Sequence, residues 1–388
     1  EHNTHPGPDF FDARIRIGDT TWAGNVEMHL LASEWLAHGH SADRAYDNVV
    51  LHVVLEEDQP IHRASGERLA CVEMKERIPQ GILARYQRLE FEQTWIPCQH
   101  FYPQVPDIVR LNWLDRVLVE RLEQKTAAVA EALEATGQHW EEAFYRVLAR
   151  SFGLKVNAEP FEALARSLPL LVLAKHKSHI EQVEALLFGQ AGMLDGEFAD
   201  AHPALLQREY RHLAHKYSLA PIAPSQWKFL RMRPANFPTV RLAQFAALVH
   251  RSAHLFSKVL EANTLRELEH LFEMQPSPYW QDRFQFDKPS IRRSKSPGRD
   301  FVHLLIINTL VPFLFFYGKQ KHRDELCKRA LRLLEELPPE ANAVLDGWAT
   351  LGTSARDAYQ SQALLHLKAH YCDHKRCLQC AIGNCILK

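Results

Sequence analysis

"GNVEMHLLASEWLAHGH", residues 24–40, changes character halfway along. In an extended chain, side chains two apart fall on one side, which sets Glu27 with His29 and puts Val26, Met28 and Leu30 opposite them. That alternation predicts a strand over 22–30, its apolar underside facing a core and its polar side carrying two candidate metal ligands. From Leu31 onward the period of two is lost. Ser33 has the chemistry of an N-cap, and the segment running on to Asp47 is expected to be the start of a helix that roofs the sheet.

Outward from this stretch the same logic gives more strands. "ARIRIG" (13–18) alternates and ends at Gly18-Asp19, a turn signal, so a hairpin joins it to 22–30. "NVVLHVVLE" (48–56) is rich in β-branched residues and nearly apolar throughout, as a central strand is. "RLACVEMKERI" (68–78) makes a fourth strand after the turn at Ser65-Gly66. After Pro97, Pro103 and Pro106 the pattern becomes helical. Residues 111–137 place Leu111, Leu114, Leu118, Leu122, Val129 and Leu133 on one stripe and stop at Gly137. Helical stretches continue to 354–371, where Ser354 and Asp357 suit an N-terminal cap. The expected fold class is α+β: a mixed α/β domain over 1–105, then an all-helical domain over 106–388.

With 388 residues, 46% of them apolar, the chain can bury a large core. A formal charge of −1 leaves no global basic field to draw it to nucleic acid, so any such binding needs local patches. The most apolar run, "FVHLLIINTLVPFLFFY" (301–317), is short and carries His303, Asn308 and Pro312, so a buried core helix is expected there and no membrane partner. No signal peptide is visible, which predicts a soluble, cytoplasmic protein, and a start at Glu1 without methionine suggests a trimmed upstream piece. Seven cysteines, an odd number in a large chain without a secretory signal, argue against a disulfide framework.

Asp9 precedes the hairpin, and Glu27 with His29 follows it. This layout resembles that of PD-(D/E)XK nucleases, and the strand–helix–strand order around it agrees. The resemblance implies that Asp9 and Glu27 bind Mg²⁺ or Mn²⁺ while His29, standing where the pattern has lysine, orients or deprotonates the attacking water. An imidazole there also suits a softer metal. His38, His40 and His52 are expected to support the site or face phosphate, although a hydrogen-bonded core histidine is an equally good reading of His52 within "VVLHVVL". Two other placements compete. "CVEMKE" spells Glu73-x-Lys75 outright, with Asp58 as a possible second acid, and a cupin-like set would use His38, His40, Asp43 and His52.

At the C-terminus, Cys372, Cys377, Cys380 and Cys385 form C-x4-C-x2-C-x4-C, a spacing able to hold an iron–sulfur cluster or zinc, with His370 or His374 able to replace one cysteine on zinc. Such a centre would fasten the chain's end. "WKFLRMRPANFP" (227–238) interleaves Trp227, Phe229 and Phe237 with Lys228, Arg231 and Arg233, which suits either base stacking or a helix end with core aromatics. "SIRRSK" (290–295) is a basic loop able to meet phosphate.

Together, "GPDFFDARIRIGDTTWAGNVEMHLLASEWLAHGH", "AYDNVVLHVV", "RMRPANFP" and "KRCLQCAIG" resemble the bacterial family called domain of unknown function 2851, over essentially the whole chain. The family carries no assigned activity. Its members look to extend a few dozen residues upstream, where PD-(D/E)XK folds often place a helix with another acid. The function expected is a metal-dependent nucleic-acid hydrolase, and the alternative a non-catalytic scaffold that binds nucleic acid or protein.

Overall fold

The computed structural model describes every residue except Glu1, Thr4, Ala64 and Gln80. Its fold is α+β, and it divides into two compact units, residues 1–92 with 386–388 and residues 93–385.

The first unit is a four-stranded mixed sheet in the order β1-β2-β3-β4. Strands β1 (Phe10–Ile17) and β2 (Thr20–Leu31) form the expected antiparallel hairpin, with Arg14 opposite Ala23 and Arg16 opposite Thr21. Gly18 sits at φ +61°, the left-handed conformation that lets so tight a turn close without a Cβ clash. Strand β3 (Val49–Glu56) runs parallel to β2, with Glu27 opposite His52 and His29 opposite Val54, and β4 (Cys71–Glu73) runs parallel to β3.

Two expectations for this unit are corrected. The helix after Ser33 lasts one turn, α1 (Glu34–Ala37), because Gly39 follows in the left-handed region at φ +76° and redirects the chain. Asp43 then accepts the Ala45 N–H at 2.9 Å and sets a second short turn, so the crossover from β2 to β3 is a chain of tight turns. Val26 is buried as expected, but beyond it the faces of β2 are the reverse of those expected. Glu27 is only 6% exposed, while Met28 is 49% and Leu30 65% exposed. The cause is Trp35. Its indole packs at 5.2 Å from the His52 ring and 5.8 Å from Tyr46, closing the polar side of the sheet with aromatic rings. The core of the unit, Ala32, Trp35, Val49, Val54, Ile61 and Leu69, lies on that same side. Helix α2 (Ile82–Phe91) ends the unit.

The second unit is helical. Its longest element, α3 (Asp107–Ala135), buries Leu114, Leu118, Leu122, Val129 and Leu133 as the periodicity predicts, while Leu111 is exposed. Gly137 at φ +62° and the Gln138 N–H bonded to the Leu133 carbonyl at 2.9 Å terminate it. Residues 93–105 pack with this unit. Trp95 meets Trp348 edge-on at 5.3 Å, and the Tyr102 hydroxyl lies 2.8 Å from the Thr353 hydroxyl. The apolar run 301–317 is a core helix, Arg299–Gln320, with a wider π-turn at Ile306–Leu310 just before Pro312, whose ring cannot follow an ordinary α-helical turn. Among the described residues it is the one helix long and apolar enough to cross a membrane, and 78% of its apolar window is buried within the chain.

Candidate metal centre

Glu27, His29 and His52 share the covered face of the sheet because positions two apart, and partners directly opposite, project the same way. The turns after α1 bring His38 and His40 onto this face. Glu27 Oε1 lies 3.4 Å from His40 Nε2 and 3.7 Å from His29 Nε2. His29 Nε2 is 3.1 Å from His38 Nδ1, and His29 Nδ1 is 2.8 Å from His52 Nε2. Ligand atoms of His29, His38 and His40 all fall within 4.8 Å of one another. His38 is exposed at the rim, and His52 is wholly buried at the floor.

Asp9 stands beside Glu27. Its backbone N–H donates to Glu27 Oε2 at 3.0 Å, and its Oδ2 accepts the Met28 N–H at 2.9 Å. Two acids eighteen residues apart in sequence are therefore neighbours, each carboxylate held by a backbone N–H of the other's segment.

The electrostatics follow from burial. Desolvation pushes the Glu27 carboxyl up to about 7; the Asp9 N–H opposes this and the Asp9 charge reinforces it. Burial, then the neighbouring His29 and His40, push the His52 imidazole down to about 4. His29 and His40 are lowered as well, first by burial and then by their histidine neighbours. Burial thus favours the uncharged forms of Glu27, His29, His40 and His52. His40 Nε2 is buried and makes no hydrogen bond of good geometry, facing Glu27 Oε1 at 3.4 Å. A nitrogen-rich set with one or two carboxylates fits Mn²⁺, Fe²⁺ or Zn²⁺ better than Mg²⁺, which demands oxygen.

The competing placements do not converge. Lys75 pairs with Glu56 at 2.5 Å on the surface, Glu73 is exposed, and Asp58 is spent on the Ser33 N–H at 2.9 Å. Asp43 caps its own turn and faces solvent, so the cupin-like set is incomplete. The aromatics of "WKFLRMRPANFP" are turned inward. Trp227 is buried and donates to the Ala191 carbonyl at 2.8 Å, while Phe229 packs on Phe237 at 5.4 Å. In "SIRRSK", Lys295 is buried and donates to the Gln281 carbonyl at 3.1 Å, so that loop is partly structural.

All seven cysteines lie outside any disulfide. Cys372, Cys377 and Cys380 line one cavity in the second unit, and Cys98, which the sequence pattern does not single out, is the fourth cysteine in its lining. Cys385 lies on the terminal helix Ala381–Leu387, outside that lining. No linear spacing could have revealed Cys98, because its approach is made by the path of the whole helical unit.

No curated protein and no solved structure matches the chain. Residues 1–343 match the family described as protein of unknown function (DUF2851), and the chain belongs to that family.

Proposed function

We propose that the first unit is a metal-dependent hydrolase of phosphodiesters, with nucleic acid as its substrate class and a divalent transition metal, Mn²⁺ by preference, as its cofactor. The observation that carries this reading is the convergence of His29, His38 and His40, with Glu27 Oε1 3.7 Å from His29 and 3.4 Å from His40 and Asp9 bonded to Glu27. Such a metal supplies Lewis-acid polarisation of the phosphoryl oxygen and a more acidic water.

The chain's own residues would divide the remaining work. Glu27, His29 and His40 would hold the cation, with His38 completing the set on the solvent side. Asp9 fixes Glu27 through its N–H and adds negative charge. For His29 to offer Nε2, its Nδ1–H must donate to His52 Nε2, so His52 sets the tautomer from below. Trp35 and Tyr46 exclude bulk water from the floor, which strengthens every charge interaction there. Arg14 and Arg16 are exposed opposite Ala23 and Thr21, residues of the same parity as Glu27, and give the hairpin a basic edge toward the substrate's phosphates.

The test is cleavage of labelled DNA and RNA by the full chain with Mn²⁺. Cutting that Glu27→Ala abolishes supports the reading. No cutting of any strand form, with the metal bound, returns the unit to the scaffold class.

A further inference from the structure

Cys98 and the C-terminal cysteines lie far apart in sequence and line one cavity, together with Pro97 and Gly383. Each arrives by a tightly specified piece of backbone. Cys98 opens a turn whose carbonyl accepts the N–H groups of Phe101 at 2.9 Å and Tyr102 at 2.8 Å. Cys372 ends the π-turn Lys368–Cys372, after which Lys375 takes a left-handed φ of +51° and reverses the chain. Cys377 and Cys380 flank a single 3₁₀ turn, with the Cys380 N–H on the Cys377 carbonyl at 3.2 Å.

Gly383 closes the arrangement. A Cβ there would sit 2.1 Å from the Cys377 carbonyl oxygen, so only glycine allows the terminal helix to lie against the turn that carries Cys377. Burial raises the Cys380 thiol, but the N–H groups of Gly383 and Ile382 and the indole of Trp113 oppose this. The Trp113 Nε1–H is buried and has no conventional partner, as suits a donor aimed at a sulfur. Cys98 and Cys372 are raised first by burial, and then by one another's neighbourhood: Cys380 and Cys377 act on both, and Cys98 acts on Cys372.

We propose that Cys98, Cys372, Cys377 and Cys380, and not Cys385, ligate an iron–sulfur cluster that ties the beginning of the helical unit to its end. Cys372-x4-Cys377-x2-Cys380 with one remote cysteine is a spacing that iron–sulfur proteins use. Zinc is the lesser fit. Four thiolates on one zinc stand roughly 3.8 Å apart, from its tetrahedral bonds. Among the described residues the group of ligand atoms close enough for a single ion, within 4.8 Å of one another, is the histidine set, and these cysteines are not in it. A cluster holds its thiolates farther apart because the irons stand between them. Four thiolates also leave an anionic centre. Arg376 lines the cavity, and the Lys368 charge already acts on Cys372, so cationic side chains are in place to offset it.

The test uses the full chain, purified without oxygen and, if colourless, reconstituted with ferrous iron and sulfide. The proposal expects a brown protein with matching iron and acid-labile sulfide, and its Mössbauer spectrum separates a two-iron from a four-iron cluster. Cys98→Ser should lose the colour and Cys385→Ser keep it. Since Cys98→Ser could disturb folding, alkylation of the wild-type protein gives an independent readout. Cys98, Cys372, Cys377 and Cys380 should be protected until the cluster is chelated, while Cys385 labels throughout. A colourless chain holding one zinc, a chain that takes up no metal, or protection of Cys385 in place of Cys98 would overturn it.

Discussion

His29 Nδ1 lies 2.8 Å from His52 Nε2, and the His52 ring is wholly buried beneath Trp35. A buried imidazole whose partner is another imidazole, with its Nδ1 left without a hydrogen bond, is expensive for a sheet core. The pair makes sense as an orienting contact for a ligand histidine. His52→Leu keeps an apolar side chain of similar size and removes the contact. Mn²⁺ affinity should fall about tenfold to a hundredfold by calorimetry, while the melting temperature changes little, since the unsatisfied His52 Nδ1 is gone but His29 Nδ1 loses its partner. Unchanged affinity would mean that His52 is a core residue and nothing more.

Lys75→Ala separates the two acid-containing sets. Lys75 pairs with Glu56 on the surface, so its removal should leave Mn²⁺ binding, cleavage and melting temperature where they are. Loss of cleavage in that variant would move the site to Glu73 and Lys75.

Gly24 governs how closely β2 and β3 approach at the start of their pairing. A Cβ there would lie 2.4 Å from Val50 Cγ1 and 2.6 Å from the Asn48 carbonyl oxygen, a backbone atom that cannot swing aside. Gly24→Ala should destabilise the first unit by about 1–3 kcal/mol, read as an earlier thermal transition, with a second-unit transition left in place.

Lys125 gives the helical unit a pH dependence. Burial, then repulsion from Arg121, pushes its ammonium down to about 7, with Glu340 offsetting part. The unfolded lysine keeps its proton to about 10.5, so between these values the unfolded chain binds more protons and stability climbs with pH. The urea midpoint of the wild type should therefore rise between about pH 7 and about pH 9 relative to Lys125→Met, which has no such group. Parallel curves would show that Lys125 titrates normally.

Much of the fold is legible in the sequence, and the limits have physical causes. The hairpin, β3 and the long helix follow from periods of two and 3.6, because those elements are set by local geometry. The direction of β2's faces is misread because polarity alone assigns Val26, Met28 and Leu30 to the core, whereas Trp35 packs over His40 and His52 on the Glu27 side and Met28 and Leu30 are left outside. Gly39, between His38 and His40, is the signal that could have cut the helix short and brought both rings to the centre. Asp9 meeting Glu27 follows directly from the hairpin. Cys98 has no such local signature, since tertiary packing alone joins it to Cys372, Cys377 and Cys380.

Whether Glu27 and the histidines around it form one cation site is decided by calorimetric titration of Mn²⁺ into the metal-stripped full chain, beside Glu27→Ala and His40→Ala. One ion per chain should bind the wild type, more tightly than Mg²⁺, and each substitution should weaken it at least tenfold while leaving the circular dichroism unchanged. Binding that ignores both substitutions, or no binding at all, would contradict the site.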